Sequence, residues 1–117
     1  MHGERPLACD LSALDLSERE RRQALASRLA AVTAETQELA GGYAFRYAAE
    51  MLPVVTEFTG LERRCCPFFR FAIEIEPDGG PLWLRIGGRP GVKAFIMAEL
   101  GELRAGAIED TQGMQAW

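Results

Sequence analysis

The sequence predicts an α+β fold, with elements in the order αββαββα. A four-stranded antiparallel sheet should carry its helices mainly on one face. Three observations point there. Apolar residues recur at helical spacing in three segments. Between those segments lie two pairs of short alternating stretches, each pair joined by a glycine-rich turn. Antiparallel hairpins bury one face, so the intervening helices are needed to cover it. The 117 residues suit one domain, 1–117, with an ordered core over about residues 7–104 and a looser tail over 105–117.

The first helix is expected from about residue 18 to about residue 33. Ser17 and Glu20 have the spacing of a capping box, in which each side chain satisfies a backbone N–H of the first turn. Ala24, Leu25, Leu29 and Val32 then make an apolar stripe. Whether residues 6–11 before it form a strand or an extended arm is left open by their pattern.

Glu35 to Leu39 and Tyr43 to Ala48 read as a hairpin turning at Gly41-Gly42, where glycine admits the positive φ of a tight turn. Tyr43, Phe45 and Tyr47 share one face of the second strand. Pro53 suits the first turn of a second helix, because its missing N–H would have no partner there. Val54, Phe58, Leu61 and Cys65 form its stripe, and Pro67 ends it. Phe69, Phe71, Ile73 and Ile75 alternate with polar residues in a third strand. Pro77-Asp78-Gly79-Gly80 supplies the turn, and Leu82, Leu84 and Ile86 mark the fourth strand. Pro90 is placed to start a third helix whose stripe is Val92, Phe95, Ile96, Leu100 and Leu103. The opposite sheet face would carry Arg46, Glu74, Glu76, Trp83 and Arg85. Arg46, Trp83 and Arg85 are the residues of a homodimer or partner surface, if that face has one.

Composition excludes some function classes. The formal net charge is −4, against the basic footprint of nucleic-acid binding. The run Arg19, Arg21, Arg22 is interleaved with Glu18 and Glu20 and reads as a solvated helix face. No apolar run approaches a membrane span, and the N-terminus lacks the apolar core of a signal peptide, so a cytoplasmic protein is expected. Three cysteines do not suggest a secreted disulfide framework. They are expected as free thiols or metal thiolates.

The stretch LERRCCPFFRF, residues 61–71, holds the densest chemistry. Cys65 continues the apolar stripe of the second helix, and Cys66 lies beside it. Glu62 is three residues before Cys65 and four before Cys66, so all three converge at the C-terminal end of one helix. Adjacent thiolates suit zinc or a softer ion if the chain bends at Cys66, and the helix C-terminus favours a cation. Glu62 would be an oxygen ligand and Cys9 a third sulfur. His2, the only histidine, sits near the terminus. The packing reading is that Cys65 and Cys66 are small buried apolar residues. A Cys/His hydrolase is disfavoured, because the thiols lack a neighbouring base.

Two other features carry competing readings. Gly88, Arg89 and Gly91 lie between a strand and a helix, where N–H groups can cradle an anion; a tight turn into a proline-started helix is the favoured reading. Glu57 and Glu62 diverge on their helix and read as a solvated face rather than paired carboxylates.

The segments ERRCCPFFRF, ACDLSAL, GGYAFRY, GGPLWLRIGG and PGVKAFIMAEL together resemble a family of small uncharacterised bacterial proteins. Those proteins carry an E-R-x-C-C-P-F type segment at a helix-to-strand junction. The resemblance spans residues 7–104 and covers Cys9, Glu62, Arg63, Cys65, Cys66, Pro67 and Phe68. It implies no activity or cofactor, but it implies that Cys9, Cys65 and Cys66 belong to one pattern. The leading expectation is therefore a soft-metal or metalloid thiolate-binding module using Cys9, Cys65, Cys66 and Glu62, with zinc or another soft ion as cofactor. One alternative is a structural domain, dimeric through the exposed sheet face, with the cysteines as core. A second is a thiol-based redox or small-molecule enzyme.

Overall fold

Asp15, not Ser17, opens the first helix. Its side chain accepts from the Glu18 N–H at 2.8 Å, and Glu18 accepts from the Asp15 N–H at 3.0 Å. This capping box starts α1 (Leu16–Val32) two residues earlier than Ser17 would, and leaves Ser17 exposed in the first turn. The computed structural model describes residues 7–99 and 108–109. The expectations for His2, Pro6, Leu100, Leu103 and all of the tail except 108–109 fall outside them.

β1 (Glu35–Glu38) and β2 (Gly42–Tyr47) form the first hairpin. α2 (Leu52–Cys65) follows a short 3-10 turn and has Pro53 in its first turn. β3 (Arg70–Ile75) and β4 (Leu82–Gly87) form the second hairpin, and α3 (Val92–Glu99) begins after Pro90. Asp78 and Gly79 turn that hairpin with φ of 61° and 72°, a conformation that aspartate and glycine tolerate. The four antiparallel strands lie in the order β3-β4-β2-β1. The architecture is α+β, as the patterning predicts.

A fifth strand was not legible. β5 (Ile108–Glu109) pairs in parallel with Thr36 and Gln37 on the outer edge of β1. It falls within the segment expected to be loose. Two residues are too few to show a period, and the pairing is dictated by the unpaired backbone edge that β1 offers.

The sheet's inner face is continuous across the register. Thr36, Phe45, Leu84 and Ile73 stand opposite one another, flanked by Tyr43, Tyr47, Leu82 and Ile86. The apolar ones pack into one cluster with Leu25, Leu29, Val55, Phe58, Val92 and Ile96. Fully burying one such Phe or Leu stabilises by about 1.5–3 kcal/mol. Alternation overstates the core on β3. Phe71 and Ile73 are only half-buried, and Ile75 is 58% exposed. β3 is an edge strand, with a neighbour on one side only. On α1, Ala24 and Val32 are exposed and Ala26 is buried instead.

The opposite face is neutralised by its own pairs. Arg46 binds Glu35 at 2.9 Å and lies over the Trp83 ring, 6.0 Å from its centre. Arg85 binds Glu74 at 2.8 Å. Gly42 permits the closest strand approach: a Cβ there would meet the Ile86 carbonyl and sit 2.6 Å from Gly87 Cα. Among the described residues, no helix is long and apolar enough to cross a membrane.

Candidate functional site

The last turn of α2 carries the site. Pro67 forbids a further helical turn, so Cys66 becomes the cap, with φ −127° and ψ 71° and its N–H still bonded to the Glu62 carbonyl at 2.8 Å. Cys65 is the last helical residue and is fully buried, as is Cys66. The bend turns their two Sγ atoms to within 3.6 Å of each other.

The N-terminal arm delivers the third sulfur. Asp10 N–H donates to the Cys65 carbonyl at 2.7 Å, one of the carbonyls that the helix end leaves unpaired. Asp10 also caps the 3-10 turn Leu11–Ala13, and Leu14 anchors that turn in the core. Arg19 donates to the Leu11 and Leu14 carbonyls, and Arg64 to the Ala13 carbonyl. The arm is thus strapped to both helices, and Cys9 lands on Cys66.

Cys9 and Cys66 form a disulfide, with Cα atoms 4.4 Å apart. This corrects the expectation of three free thiols: among them only Cys65 is free. A count of three argues against a disulfide framework, but it is silent on a single bond made where an arm crosses a helix end. Cys66 Sγ lies 3.5 Å from Glu62 Oε2, and the thiol of Cys65 is 3.6 Å from the Glu62 carbonyl. A disulfide sulfur carries no hydrogen, so the first of these becomes a hydrogen bond only when Cys66 is reduced.

Glu62 is not on a solvated face. It is fully buried, whereas Glu57 is exposed. Val55, Phe58, Glu62 and Cys65 fall in one sector of α2, so the carboxylate points with them into the core. Its partner is Arg22, a residue the sequence reading placed in a solvated run. Arg22 Nε donates to Oε1 at 2.6 Å and Nη2 to Oε2 at 3.2 Å. A signal for it exists. Arg22, Leu25, Ala26 and Leu29 are spaced i, i+3, i+4 and i+7, which puts the arginine on the buried stripe. The pair Arg21–Glu57 spans the same two helices but is roughly half-exposed on both sides. Arg64–Glu18 makes a third link.

These contacts set the electrostatics. Burial, reinforced by the Glu62 charge, pushes the Cys65 thiol above its ordinary range, and Arg22 offsets only part of that. Burial pulls Arg22 down, but its hydrogen bonds and charge pairing with Glu62 outweigh this and leave it above the usual arginine value. Cys65 is therefore a neutral thiol at neutral pH.

Cys9, Cys66 and Glu62 each offer an atom within 4.8 Å of the others. Cys65 Sγ meets this group at the Cys66 sulfur and at the Glu62 carbonyl, and is not one of the three converging atoms. Beside the disulfide lies a cleft of about 400 Å³ lined by Leu7, Ala8, Cys9, Leu11, Arg22 and Phe95. The other sequence candidates lie elsewhere. Arg46, Trp83 and Arg85 sit together on the sheet face opposite Phe45 and Leu84, where each is half-buried rather than exposed as expected. Gly88, Arg89 and Gly91 border a second cleft of about 450 Å³ with Lys93. There the Gly88 N–H bonds the Gly41 carbonyl at 3.3 Å and the Val92 N–H bonds the Arg89 carbonyl at 3.0 Å, so both serve the turn.

No protein-family model, no curated protein and no solved structure matches the chain. Function is therefore argued from the site alone.

Proposed function

We propose that the reduced protein is a soft-metal or metalloid binding module, with Cys9 and Cys66 as thiolate ligands and Glu62 as an oxygen ligand. Cys65 stands next to them as a further sulfur for an ion that prefers three. The observation that carries the reading is the convergence of the Cys9, Cys66 and Glu62 donor atoms within 4.8 Å, from positions 57 residues apart in the case of the two sulfurs. Zinc holds thiolates at about 2.3 Å and carboxylate oxygens at about 2.0–2.2 Å, so ligand atoms of one ion lie roughly 4 Å apart.

Charge balance supports it too. A divalent ion with two thiolates and one carboxylate carries a net charge of −1, and Arg22 supplies the compensating +1 at hydrogen-bond distance from Glu62. Soft ions such as Cd(II), Hg(II) or As(III) fit a sulfur-rich set as well as zinc does. Thiolate ligands require the disulfide to be open, so this reading places the working protein in a reducing compartment, the cytoplasm.

The test is a titration of reduced, folded protein with Cd(II), Zn(II) and As(III). One equivalent should produce thiolate-to-metal absorption and protect Cys9 and Cys66 from a thiol reagent. Oxidised protein should bind none. Reduced protein that stays folded, shows no such absorption and leaves both thiols reactive would sink the proposal.

A further inference from the structure

We propose that the Cys9–Cys66 disulfide is an exchange centre for small thiols bearing an acidic group, which attack Cys9 from the cleft beside the N-terminal arm. The inference concerns the oxidised protein and stands whether or not the reduced site takes a metal.

The two sulfurs are not equivalent. Cys66 is fully buried, whereas Cys9 is half-buried and lines the cleft. Exchange requires a thiolate to approach one sulfur along the line of the bond, so access chooses the sulfur attacked. A volume of about 400 Å³ lies in the range of small-molecule sites. Leu7, Leu11 and Phe95 offer apolar contact for a short carbon chain. Among the described residues Arg22 is the only charged side chain in the lining, and 16% of it remains exposed. That guanidinium is paired with Glu62 through two of its five N–H donors, and the donors left over at the cleft wall can hydrogen-bond an anionic group.

The leaving sulfur gains a hydrogen-bond partner once it is protonated. When Cys66 departs as a thiolate and takes a proton, Glu62 Oε2 stands 3.5 Å away to accept its S–H. Cys65 does not compete as the attacking group. It is fully buried, and joining it to Cys66 would close the strained ring of a vicinal disulfide.

The chemistry balances in two steps. The incoming thiolate forms a sulfur–sulfur bond to Cys9, and the Cys9–Cys66 bond breaks with its electron pair on Cys66. A second thiolate then attacks the small molecule's sulfur in the mixed disulfide and releases Cys9. Two small thiols become one small disulfide, and the protein disulfide becomes two thiols, with protons supplied by solvent.

The experiment uses oxidised, metal-free protein with 3-mercaptopropionate, 2-mercaptoethanol and cysteamine. Reactions are stopped with acid at early times, and the adduct is located by peptide mass spectrometry. Each rate is divided by that thiol's rate with a small uncharged disulfide. The adduct should sit on Cys9, and the normalised rate should be about fivefold higher for 3-mercaptopropionate than for cysteamine. Leu11→Glu, at a side chain 45% exposed, should reduce that preference severalfold without moving the unfolding midpoint. An adduct on Cys66, or no exchange in folded protein while unfolded protein reacts, overturns the exchange centre. Equal normalised rates, or a preference untouched by Leu11→Glu, overturn the acidic thiol.

Discussion

Replacing Arg22 with methionine should destabilise the protein far more than the same change at Arg21. Both arginines join α1 to α2 through a glutamate, but the two pairs differ in solvation. The Glu62 side chain is 1% exposed and that of Arg22 16%; the Arg21 and Glu57 side chains are 55% and 43% exposed. Removing Arg22 strands a carboxylate in the core, which costs roughly 3–5 kcal/mol. Removing Arg21 releases Glu57 into water, at a cost of about 1 kcal/mol or less. A chain of this size has roughly 6–18 kcal/mol in all, so the first loss is a large fraction of the total. With a urea slope near 1.5 kcal/mol/M, Arg22→Met should lower the midpoint by about 2–3 M. The double variant Arg22→Met/Glu62→Leu removes both charges and keeps the volume, and should recover most of that loss. Urea unfolding of the oxidised proteins, followed by circular dichroism at neutral pH, measures the three variants against the parent. If Arg22→Met costs no more than Arg21→Met, or if the double variant is no better than the single, the buried pair has been misread.

Three further outcomes are expected. Unfolded protein kept from reductant should expose one thiol and reduced protein three; the bond spans 57 residues, so its reduction should lower stability by up to about 4 kcal/mol through loop entropy. Three thiols without reductant would refute the disulfide. Burial pushes the Tyr47 phenol up to about 12 from an ordinary value of 10. The folded state therefore holds a proton that the unfolded chain has released, so stability is full below pH 10 and falls by about 2–3 kcal/mol on reaching pH 12. A Tyr47→Phe variant that loses stability just as steeply over that window would exclude Tyr47 as the cause. Gly42→Ala drives a methyl into the backbone of β4, and should cost about 2–3 kcal/mol in chemical denaturation. A neutral result would mean that the β2–β4 register can slip.

The order of elements was legible because each obeys a local rule. Pro53 opens α2, Pro67 closes it, and the alternation of Tyr43, Phe45 and Tyr47 selects a buried face from a period of two. These are properties of the chain within a few residues, and any environment with one apolar side reveals them. Ile75 shows the limit: alternation predicts which face a residue takes, but not whether a helix lies over that face.

The site was half legible for the same reason. Glu62, Cys65 and Cys66 could be grouped, because residues three and four apart on a helix are neighbours. That Cys9 bonds Cys66 depends on the path of an arm held by Asp10, Arg19 and Arg64, and no spacing within the arm encodes it. Arg22 and Glu62 lie forty residues apart, and although the spacing puts each on the buried stripe of its own helix, nothing within either helix pairs them. Only the packing of α1 on α2 desolvates both and makes them one pair. The sequence by itself determined the α+β architecture and the helix end where the sulfurs gather. The tertiary structure decided which sulfurs are joined, which charge is buried, and that Cys9 alone meets the cleft, because these follow from contacts between segments and not from the pattern within any one of them.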